Sequence, residues 1–369
     1  MTETGSASIS FVSPAPRRRV QAMKEYHPPL GNRDLLRLDF NENTFACSPK
    51  VREVLGGFSA GALTHYPERE SVEASVAAHL GVAAQQVALT NGVDEAIHLL
   101  FEAFLEADDE LLLPVPTYTM YEVYASATDA RVIAVQAEDD LRFPFERLLA
   151  AVTAKTKIIA IANPNSPSGS VASRAKLFEL ARRAPHAVVL VDEAYFHFCG
   201  ETVIDLVGNV PNLMVARTFS KAYGLAGLRI GVLAGAVGMM RWVRRVLSPY
   251  SVNSVALACL PAALEDVSYL DWYVGEVLAA RGEFEAALDA VGMRWWSSRA
   301  NFILVDIGAR HADFVQAMRG TGILVRDRSS DPGCDGRVRI TIGTREQMRL
   351  AVDALSKAAE DLKLGVHAK

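Results

Sequence analysis

The chain has 369 residues, of which 50% are apolar and 22% are charged, and its formal net charge is −5. At roughly 100–200 residues per domain this length predicts two domains, which excludes a small peptide-binding module. The apolar content also excludes a chain dominated by disorder. Acidic and basic residues are mixed throughout, so the sequence offers no basic face for a nucleic-acid backbone, and we expect no nucleic-acid partner.

The N-terminal segment Met1–Pro16 is rich in Ser, Thr and Pro and is predicted to be a flexible arm. The chain shows no basic segment followed by an apolar stretch, and no apolar run reaches the ~18 residues of a membrane span. The cysteines lack the close spacing of zinc ligands or redox pairs and are interpreted as reduced, mostly structural residues. We therefore expect a cytoplasmic protein with no metal site and no membrane partner. The cysteines are Cys47, Cys199, Cys259 and Cys334.

From about residue 87 to 235, short apolar runs rich in β-branched residues alternate with segments of helical period. Near-continuous apolar strands suit a sheet that is covered on both faces, and alternating β and α units predict a mostly parallel, doubly wound sheet. Between two of the runs, SRAKLFELARRA (173–184) predicts a helix with Ser173 as its N-cap. The runs are VALT (87–90), LLLP (111–114), VIAV (132–135), KIIAIA (157–162), AVVLVD (187–192), LMVART (213–218) and RIGVLA (229–234).

Beyond Pro249 the order of elements changes. A long helix-prone stretch covers about residues 254–290. It is followed by the predicted strands RWW, FILVDI, ILVRD and VRITI and by the predicted helices HADFVQAMRG and TREQMRLAVDALSKAAEDL. This order predicts a smaller α+β domain, with a boundary near residues 250–265.

Polar residues follow the apolar runs, at the carboxyl ends of the predicted strands where ligands bind in open α/β sheets. Gly92 turns the first run into a helix, and backbone amides at a helix start bind phosphate. In NPNSPSG (163–169), proline and glycine fix a turn that presents Asn165 and Ser166. Taken singly, each segment is equally well explained as an ordinary turn.

Two ionisable groups lie at further strand ends. Asp192 ends a buried run, where a carboxylate is costly unless it faces a cation. Lys221 lies in the glycine-rich SKAYGLAGLRIG, where it is suited to act as a nucleophilic amine, although an isolated lysine is more often a solvated surface residue. Together with the phosphate-binding turn, these groups match one chemical requirement, namely a carboxylate for a ring nitrogen, a lysine amine and a phosphate cradle.

The motifs TFSKAYGLAGLRIG, DEAY and NPNSPSG resemble those of the fold-type I pyridoxal-phosphate (PLP) enzymes, specifically the class I/II aminotransferases. NENT, HYPE, TNGVDEAI, PTYTMY and VRITIGT resemble the histidinol-phosphate aminotransferase branch, over about residues 26–360. The resemblance implies an α/β fold like that of aspartate aminotransferase, PLP as cofactor and a homodimer with shared active sites. It divides the chain into an N-terminal arm (1–25), a small α+β domain (26–45 and 260–369) and a large PLP-binding domain (46–259).

Carried over to this sequence, the resemblance implies catalytic roles for three residues. Lys221 would be the Schiff-base lysine and would move the substrate Cα proton, Asp192 would pair with the ring nitrogen, and Tyr195 would donate a hydrogen bond to the phenolic oxygen of the ring. Tyr118 would stack on the ring, and Tyr66 would reach the phosphate in the neighbouring subunit. The other implied cofactor-binding residues are Gly92, Val93, Asp94, Asn165, Ser166, Ser220 and Arg229.

On the substrate side, the resemblance implies that Arg339 binds a carboxylate as a bidentate fork. It also implies Arg326, Tyr26 and Asn43 as substrate-binding residues. Arg326 lies near the end of ILVRD and Arg339 lies in VRITI, with the loop SSDPGCDG between them. The two arginines are therefore predicted to lie on adjacent strands and to face one pocket, unless Arg326 pairs with a nearby aspartate on the surface.

The sequence departs from the family pattern at three positions. Ser166 occupies the place of an asparagine that binds the phenolic oxygen, so we expect the Ser166 hydroxyl or the neighbouring Asn165 to supply that contact. Thr44 replaces the proline of the NENP motif, and Val93 replaces a common alanine.

The expected reaction is transfer of an amino group from L-histidinol phosphate to 2-oxoglutarate in two half-reactions. Two alternatives keep the fold. An aromatic amino-acid aminotransferase would change the substrate, and an enzyme similar to the threonine-phosphate decarboxylases would keep a phosphate-bearing substrate but change the reaction to decarboxylation. A third alternative is a non-catalytic regulator. Such regulators carry an additional DNA-binding domain, for which the short N-terminal arm leaves no room, and the lysine and the negative net charge also disfavour this alternative.

Overall fold

The structure is a computed structural model that describes residues 13–23, 25, 31 and 34–364. Within these residues the chain forms two β-sheets and the helices that cover them. The strands are β1 (Leu36–Leu38), β2 (Val87–Thr90), β3 (Glu110–Val115), β4 (Arg131–Gln136), β5 (Thr156–Ala162), β6 (Val188–Asp192), β7 (Leu213–Thr218), β8 (Gly231–Gly235), β9 (Trp295–Trp296), β10 (Phe302–Asp306), β11 (Ile323–Asp327) and β12 (Arg337–Thr341). The α-helices are α1 (Arg18–Ala22), α2 (Pro49–Gly56), α3 (Ala60–Thr64), α4 (Glu70–Leu80), α5 (Gly92–Phe104), α6 (Met120–Ala127), α7 (Phe145–Ala151), α8 (Arg174–Arg183), α9 (Phe196–Cys199), α10 (Val237–Val246), α11 (Ser254–Glu265), α12 (Val267–Val291), α13 (His311–Gly320) and α14 (Arg345–Leu362).

The larger sheet has the strand order β2-β8-β7-β6-β5-β3-β4. β8 runs antiparallel to β2 and to β7, whereas the successive pairs from β7 to β4 are parallel. The prediction of a mostly parallel, doubly wound sheet is therefore confirmed, and each of the quoted apolar runs forms one of its strands. The run that begins at Arg229 becomes β8 only at Gly231, because Arg229 has a left-handed φ of 53°.

Apolar clusters cover the larger sheet on both faces. In β5, Ile158 and Ala160 belong to one cluster, and Ile159 and Ile161 belong to the other. This division follows from the alternation of side chains along a strand. The helix predicted after β5 forms as α8, and the Ser173 hydroxyl caps it by accepting a hydrogen bond from the backbone of N3.

The smaller sheet has the strand order β1-β11-β12-β10-β9. β1 is parallel to β11, and the remaining pairs are antiparallel. Buried side chains from α12, α13 and α14 form a third apolar cluster with those of β10, β11 and β12. The predicted α+β domain is therefore present, and its first strand comes from the N-terminal part of the chain.

The predicted division at residue 260 falls inside α11, which continues without a break to Glu265. Leu260 and Leu264 lie in a cluster of the larger sheet, whereas Tyr273 and Val277 of α12 lie in the cluster of the smaller sheet. The helix-prone stretch predicted over 254–290 is therefore two helices, which meet at Asp266. We propose that the two domains divide at this junction.

The predicted N-terminal arm, residues 1–25, lies partly outside the described residues. Of its described part, α1 packs near the C-terminal end of α6, where Arg17 donates a hydrogen bond to the Ala127 carbonyl. Arg19 lies 3.4 Å from the carboxylate of Asp129 in an exposed ion pair. Arg17 and Arg19 therefore both contact residues of their own chain.

Three general observations concern the residues that the structure describes. No helix among them is long and apolar enough to span a membrane. They contain no group of three or more His, Cys, Asp or Glu side chains arranged to hold a metal ion. All four cysteines are present as free thiols.

Candidate active site

The site lies where the carboxyl ends of β5, β6 and β7 meet the segment that follows β1. Asp192 ends β6, and Lys221 lies in the loop after β7. Tyr195 and Ala222, both in loops of the larger sheet, lie in the apolar cluster of the smaller sheet. The cleft is therefore formed by both domains, at the strand ends where open α/β sheets bind ligands.

Asp192 is a buried carboxylate with two hydrogen-bond donors. The Tyr121 hydroxyl donates to Oδ2 over 2.7 Å, and the backbone N–H of Ala194 donates to Oδ1 over 3.0 Å. Burial raises the pKa of Asp192 to about 6, and these hydrogen bonds offset only part of that rise. A cation beside this carboxyl group would return its pKa toward the ordinary value, so the site suits a positively charged ligand atom.

Lys221 is half-buried, and its Nζ donates a hydrogen bond of 2.9 Å to the Phe40 carbonyl. Phe40 belongs to the segment after β1, so the amine points into the space between the two domains. The neighbouring Ala222 accepts a 3.3 Å hydrogen bond from the amide of Asn43 in the same segment. The loop after β7 is therefore held against the N-terminal segment at two successive residues.

Tyr195 is also buried in this cleft. Its hydroxyl oxygen accepts a 2.9 Å hydrogen bond from Nδ2 of Asn41. Its ring meets the Phe302 ring edge-on, at a centroid distance of 5.2 Å. Contacts on both sides therefore fix the direction of the phenol.

The start of α5 forms a cradle of backbone N–H groups. Gly92 is its first residue and has a φ of 77°. A Cβ atom at Gly92 would lie 2.5 Å from Nη2 of Arg229, so glycine leaves the guanidinium room beside the helix start. Backbone N–H groups and the helix dipole at such a position attract phosphate, and the adjacent arginine adds a positive charge.

Asp94 links the other members of this cradle. Its Oδ2 lies 3.0 Å from Nη2 of Arg229, and its Oδ1 accepts a 2.7 Å hydrogen bond from the Tyr118 hydroxyl. Tyr118 meets the Tyr121 ring edge-on at 5.9 Å. Ser220, near the start of the loop after β7, is buried and donates its N–H to the Thr218 hydroxyl. The structure thus brings Gly92, Val93, Asp94, Tyr118 and Arg229 together.

Arg339 on β12 is almost completely buried. It donates one hydrogen bond of 2.9 Å to the Ser166 hydroxyl and another of 2.6 Å to the Asp39 carbonyl. Burial lowers its pKa to about 10, so the guanidinium remains charged at neutral pH. Ser166, predicted as a cofactor contact, is therefore also a direct partner of the predicted substrate arginine.

Arg326 on β11 is the direct cross-strand partner of Arg339. The prediction that these two arginines lie on adjacent strands is confirmed. The guanidinium of Arg326 lies over the Phe40 ring at 5.6 Å, and that of Arg37 lies over the same ring at 4.7 Å. Three arginines therefore surround the segment whose carbonyl group accepts from Lys221.

The remaining predicted residues lie in different settings. The Asn165 amide donates to the Pro116 carbonyl and to the Ser168 hydroxyl, within the turn and its immediate neighbour. The Asn43 amide also donates to the Tyr269 hydroxyl. Tyr66 is 78% exposed and stacks on Tyr250 at 4.3 Å, on the outside of the chain. Tyr26 lies outside the described residues.

Sequence reasoning overlooked two residues of the cleft, Tyr121 and Asn41. Tyr121 is the second tyrosine of PTYTMY, and only the first tyrosine was assigned a role. Asn41 is the first asparagine of NENT, where only the second was assigned a role. Each motif therefore contained a second residue of the same type that could have been considered. The contacts themselves could not be foreseen, because Tyr121 and Asp192 are 71 positions apart and Asn41 and Tyr195 are 154 positions apart.

Comparison with known proteins assigns the family. The model of the family "Aminotransferase class I and II" matches residues 33–355, which is most of the chain. The chain belongs to this family. It is a PLP-dependent aminotransferase, and the alternative of a non-catalytic regulator is not favoured.

Relatives with assigned names match over most of their length. A histidinol-phosphate aminotransferase of Geobacillus sp. (strain WCH70) is 31% identical over 93% of this chain and 95% of that protein. One of Thermoanaerobacter pseudethanolicus is 32% identical over 87% of this chain and 92% of that protein.

Solved structures of aminotransferases share the fold of the enzyme. The histidinol-phosphate aminotransferase from Sinorhizobium meliloti in complex with pyridoxal-5'-phosphate aligns with a TM-score of 0.86 and 25% identity, over 94% of this chain and 98% of that one. Aspartate aminotransferase from Thermus thermophilus with maleate aligns with a TM-score of 0.79 and 22% identity, over 94% and 100% of the two chains. The predicted aspartate-aminotransferase-like fold, PLP fold type I, is confirmed.

The residues of the cleft fit PLP. The buried Asp192 needs a cation, and a protonated ring nitrogen is one. The cradle at Gly92 and Arg229 provides N–H donors and a positive charge for a phosphate. The amine of Lys221 points into the space between them and the smaller sheet, which suits covalent attachment of the cofactor.

Proposed function

We propose that the enzyme transfers an amino group between L-histidinol phosphate and 2-oxoglutarate. The observation that carries this proposal is the direct cross-strand pairing of Arg326 with Arg339 beside the cleft. Like charges directly opposite each other destabilise a sheet. A dianionic phosphate on the substrate can bind both guanidinium groups, whereas a single carboxylate needs only one.

Bound PLP supplies an electron sink for the electron pair left at the substrate Cα when its proton is removed. Lys221 would hold the cofactor and, once its amine is free, would carry that proton from the substrate Cα to C4′ of the cofactor. Asp192 keeps the ring nitrogen protonated, and Tyr195 donates a hydrogen bond to the ring oxygen. Arg326 and Arg339 hold the anionic end of the substrate and so orient its Cα toward the lysine.

The names of the relatives support this substrate over the aromatic amino-acid aminotransferase and decarboxylase alternatives. The arrangement of the cleft supports an anionic substrate as well. The guanidinium groups of Arg37, Arg326 and Arg339 lie around the segment that holds Asp39 and Phe40. Arginine forks of this kind bind carboxylate and phosphate groups.

We expect Arg326→Gln to lower kcat/KM for histidinol phosphate by about ten- to a hundredfold, the worth of a charge-assisted arginine–phosphate contact. The same change should leave kcat/KM for phenylalanine nearly unchanged, because phenylalanine carries only a carboxylate. Arg339→Gln should reduce activity with both substrates. Stopped-flow half-reactions with each amino donor measure these effects.

Arg319→Gln, on the exposed side of α13, is the matched control for loss of an arginine and should leave kcat/KM unchanged for both donors. Equal losses for both donors in Arg326→Gln would refute the phosphate role and favour the aromatic aminotransferase alternative.

We also propose a homodimer with shared active sites. Tyr66 and Tyr250 stack on each other while remaining 78% and 55% exposed, and Phe45 and Trp272 form a second exposed aromatic pair. Exposed apolar groups in such numbers favour an interface. In a two-fold dimer Tyr66 would contact the phosphate held in the other subunit.

We also propose that the enzyme is located in the cytoplasm. Its four cysteines are free thiols, which a reducing compartment favours.

Mixing two defective variants tests the shared site. Lys221→Ala lacks the lysine of its own site, and Tyr66→Ala lacks the residue given to the partner. After subunit exchange, half of the dimers are mixed and each has one intact site, so activity at limiting PLP should recover to about a quarter of wild type. Steady-state transamination measures this recovery.

Lys221→Ala mixed with Asp192→Asn is the control, because both residues serve the same site and no mixed dimer contains an intact one. Activity that only equals the sum of the separate variants in the Tyr66→Ala mixture would contradict the shared site.

A further inference from the structure

The segment Asp39–Asn43 after β1 contacts the functional residues of the cleft one after another. The Asp39 carbonyl accepts a hydrogen bond from Arg339, and the Phe40 carbonyl accepts one from Lys221. The next residue, Asn41, uses its side chain instead and donates to Tyr195. Because Asn41 is 1% exposed, that contact is shielded from water and its geometry is set by the protein alone.

The orientation of the Asn41 amide follows from its other partner, Thr341 on β12. The Thr341 hydroxyl oxygen accepts the backbone N–H of Asn41 over 3.0 Å, and the hydroxyl proton is donated to Oδ1 of Asn41 over 3.0 Å. Oδ1 therefore faces Thr341, which leaves Nδ2 for Tyr195. A third buried residue, Asn301, donates to the Asn41 carbonyl over 3.1 Å and holds the backbone in place.

This arrangement determines what the Tyr195 hydroxyl is able to do. A phenol has one donor hydrogen and accepts through its oxygen. Because Nδ2 of Asn41 donates to that oxygen, the hydroxyl hydrogen cannot lie on the line to Asn41 and is available to another acceptor. We propose that Asn41 is a positioning residue that directs the Tyr195 proton toward the ring oxygen of the cofactor, an inference that rests on the role of Tyr195 in the proposed function.

The backbone at this position restricts the residues that fit there. Asn41 has a φ of 54°, in the left-handed region that asparagine, aspartate and glycine tolerate best. Of these residues, glycine has no side chain, and aspartate has the same shape but accepts hydrogen bonds when it is ionised. Only asparagine therefore combines this backbone conformation with a donor that faces Tyr195.

The test uses the PLP-loaded enzyme and the pH titration of its visible absorption band. A hydrogen bond to the charged ring oxygen favours the deprotonated form of the chromophore, so its loss raises the apparent pKa of the band. In Asn41→Asp the carboxylate accepts a hydrogen bond from the Tyr195 hydroxyl, which turns that hydrogen away from the cofactor, and we expect the pKa of the band to rise by about one. Asn41→Gly removes the donor to the Tyr195 oxygen but supplies no acceptor for the Tyr195 hydrogen, so the pKa of the band should rise by less.

Tyr195→Phe sets the scale of the experiment, because it removes the donor outright. Adding Asn41→Asp to Tyr195→Phe should cause no further rise, since the phenol through which Asn41 acts is gone. Asn209→Asp, an exposed position, controls for the added negative charge and should leave the band unchanged. These variants report a spectroscopic pKa, which a purely structural role of Asn41 would not move.

Two outcomes would overturn the inference, and they distinguish failure of the role of Asn41 from failure of the role of Tyr195. If Tyr195→Phe raises the pKa of the band while both Asn41 variants leave it at the wild-type value, Asn41 does not direct the phenol and the role of Tyr195 stands. If Tyr195→Phe itself leaves the band unchanged, the proposed role of Tyr195 fails and the inference fails with it.

Discussion

Replacing Lys221 with alanine is expected to lower multiple-turnover transamination by roughly 10⁴-fold or more, because proton transfer and covalent attachment are lost together. The variant should still bind PLP, since Asp192 and the cradle at Gly92 and Arg229 remain. The variant also loses the hydrogen bond from Lys221 to the Phe40 carbonyl, and we expect water to replace the amine because Phe40 is only partly buried.

Chemical trapping tests directly whether Lys221 is the lysine that binds the cofactor. Borohydride reduction of the loaded enzyme followed by peptide mapping should recover the cofactor on Lys221. Lys221→Arg is an informative companion, because it keeps a positive charge but cannot lose its proton, and it should be as inactive as the alanine variant. Lys176→Ala, which removes an exposed lysine on α8, should keep full activity.

Recovery of the reduced cofactor on another lysine would contradict the role of Lys221. Substantial turnover by Lys221→Ala without added amines would contradict it as well, because the proton would then have another carrier.

The larger sheet and the placement of Asp192 and Lys221 at its strand ends were predictable because both depend on short-range signals. Each strand of the larger sheet is a run of apolar residues bounded by polar ones, and Asp192 and Lys221 follow such runs within a few residues. The cross-strand meeting of Arg326 and Arg339 was also predictable, since one loop joins their strands and fixes their register.

The contacts that complete the site were not predictable, because they join distant parts of the chain. Asn41 and Tyr195 are separated by 154 positions, and the Asp39 carbonyl meets Arg339 across 300. The contact between Asp39 and Arg339 uses only the backbone carbonyl of Asp39, and a backbone contact has no sequence signature. The break between α11 and α12 was missed for a different reason, namely that helix-prone residues lie on both sides of it. The junction itself carries a sequence signal, because Asp266 caps α12 by accepting a hydrogen bond from the N–H of Tyr269. The packing shows that the two helices cover different apolar clusters.

Asp192→Asn is expected to lower kcat by about 10²–10³-fold, which is typical for the loss of one preorganised electrostatic partner. The amide has the shape of the carboxylate but no charge, so it cannot hold the ring nitrogen protonated. Tyr121→Phe is the matched variant, because it removes the 2.7 Å hydrogen bond to Asp192 and keeps the charge. Its loss of activity should be much smaller.

The same residue should make the stability of the cofactor-free protein depend on pH. The pKa of Asp192 is raised from 3.8 to about 6 in the folded protein, so between these values the folded state binds more protons than the unfolded state. The free energy of unfolding therefore falls as pH rises from about 4 to about 6, by about 3 kcal/mol in total. A protonated ring nitrogen beside the carboxylate removes this penalty, so the stabilisation by PLP should grow over the same range.

Denaturant unfolding of the free and loaded forms at pH 5 and pH 7 measures the effect. Asp39, Glu193 and Asp331 are also buried carboxyl groups with raised pKa values, so the contribution of Asp192 is the difference between wild type and Asp192→Asn. In the asparagine variant the gain in stability from PLP should change little between the two pH values. A gain that still widens with pH in that variant would show that another group, and not Asp192, pairs with the ring nitrogen.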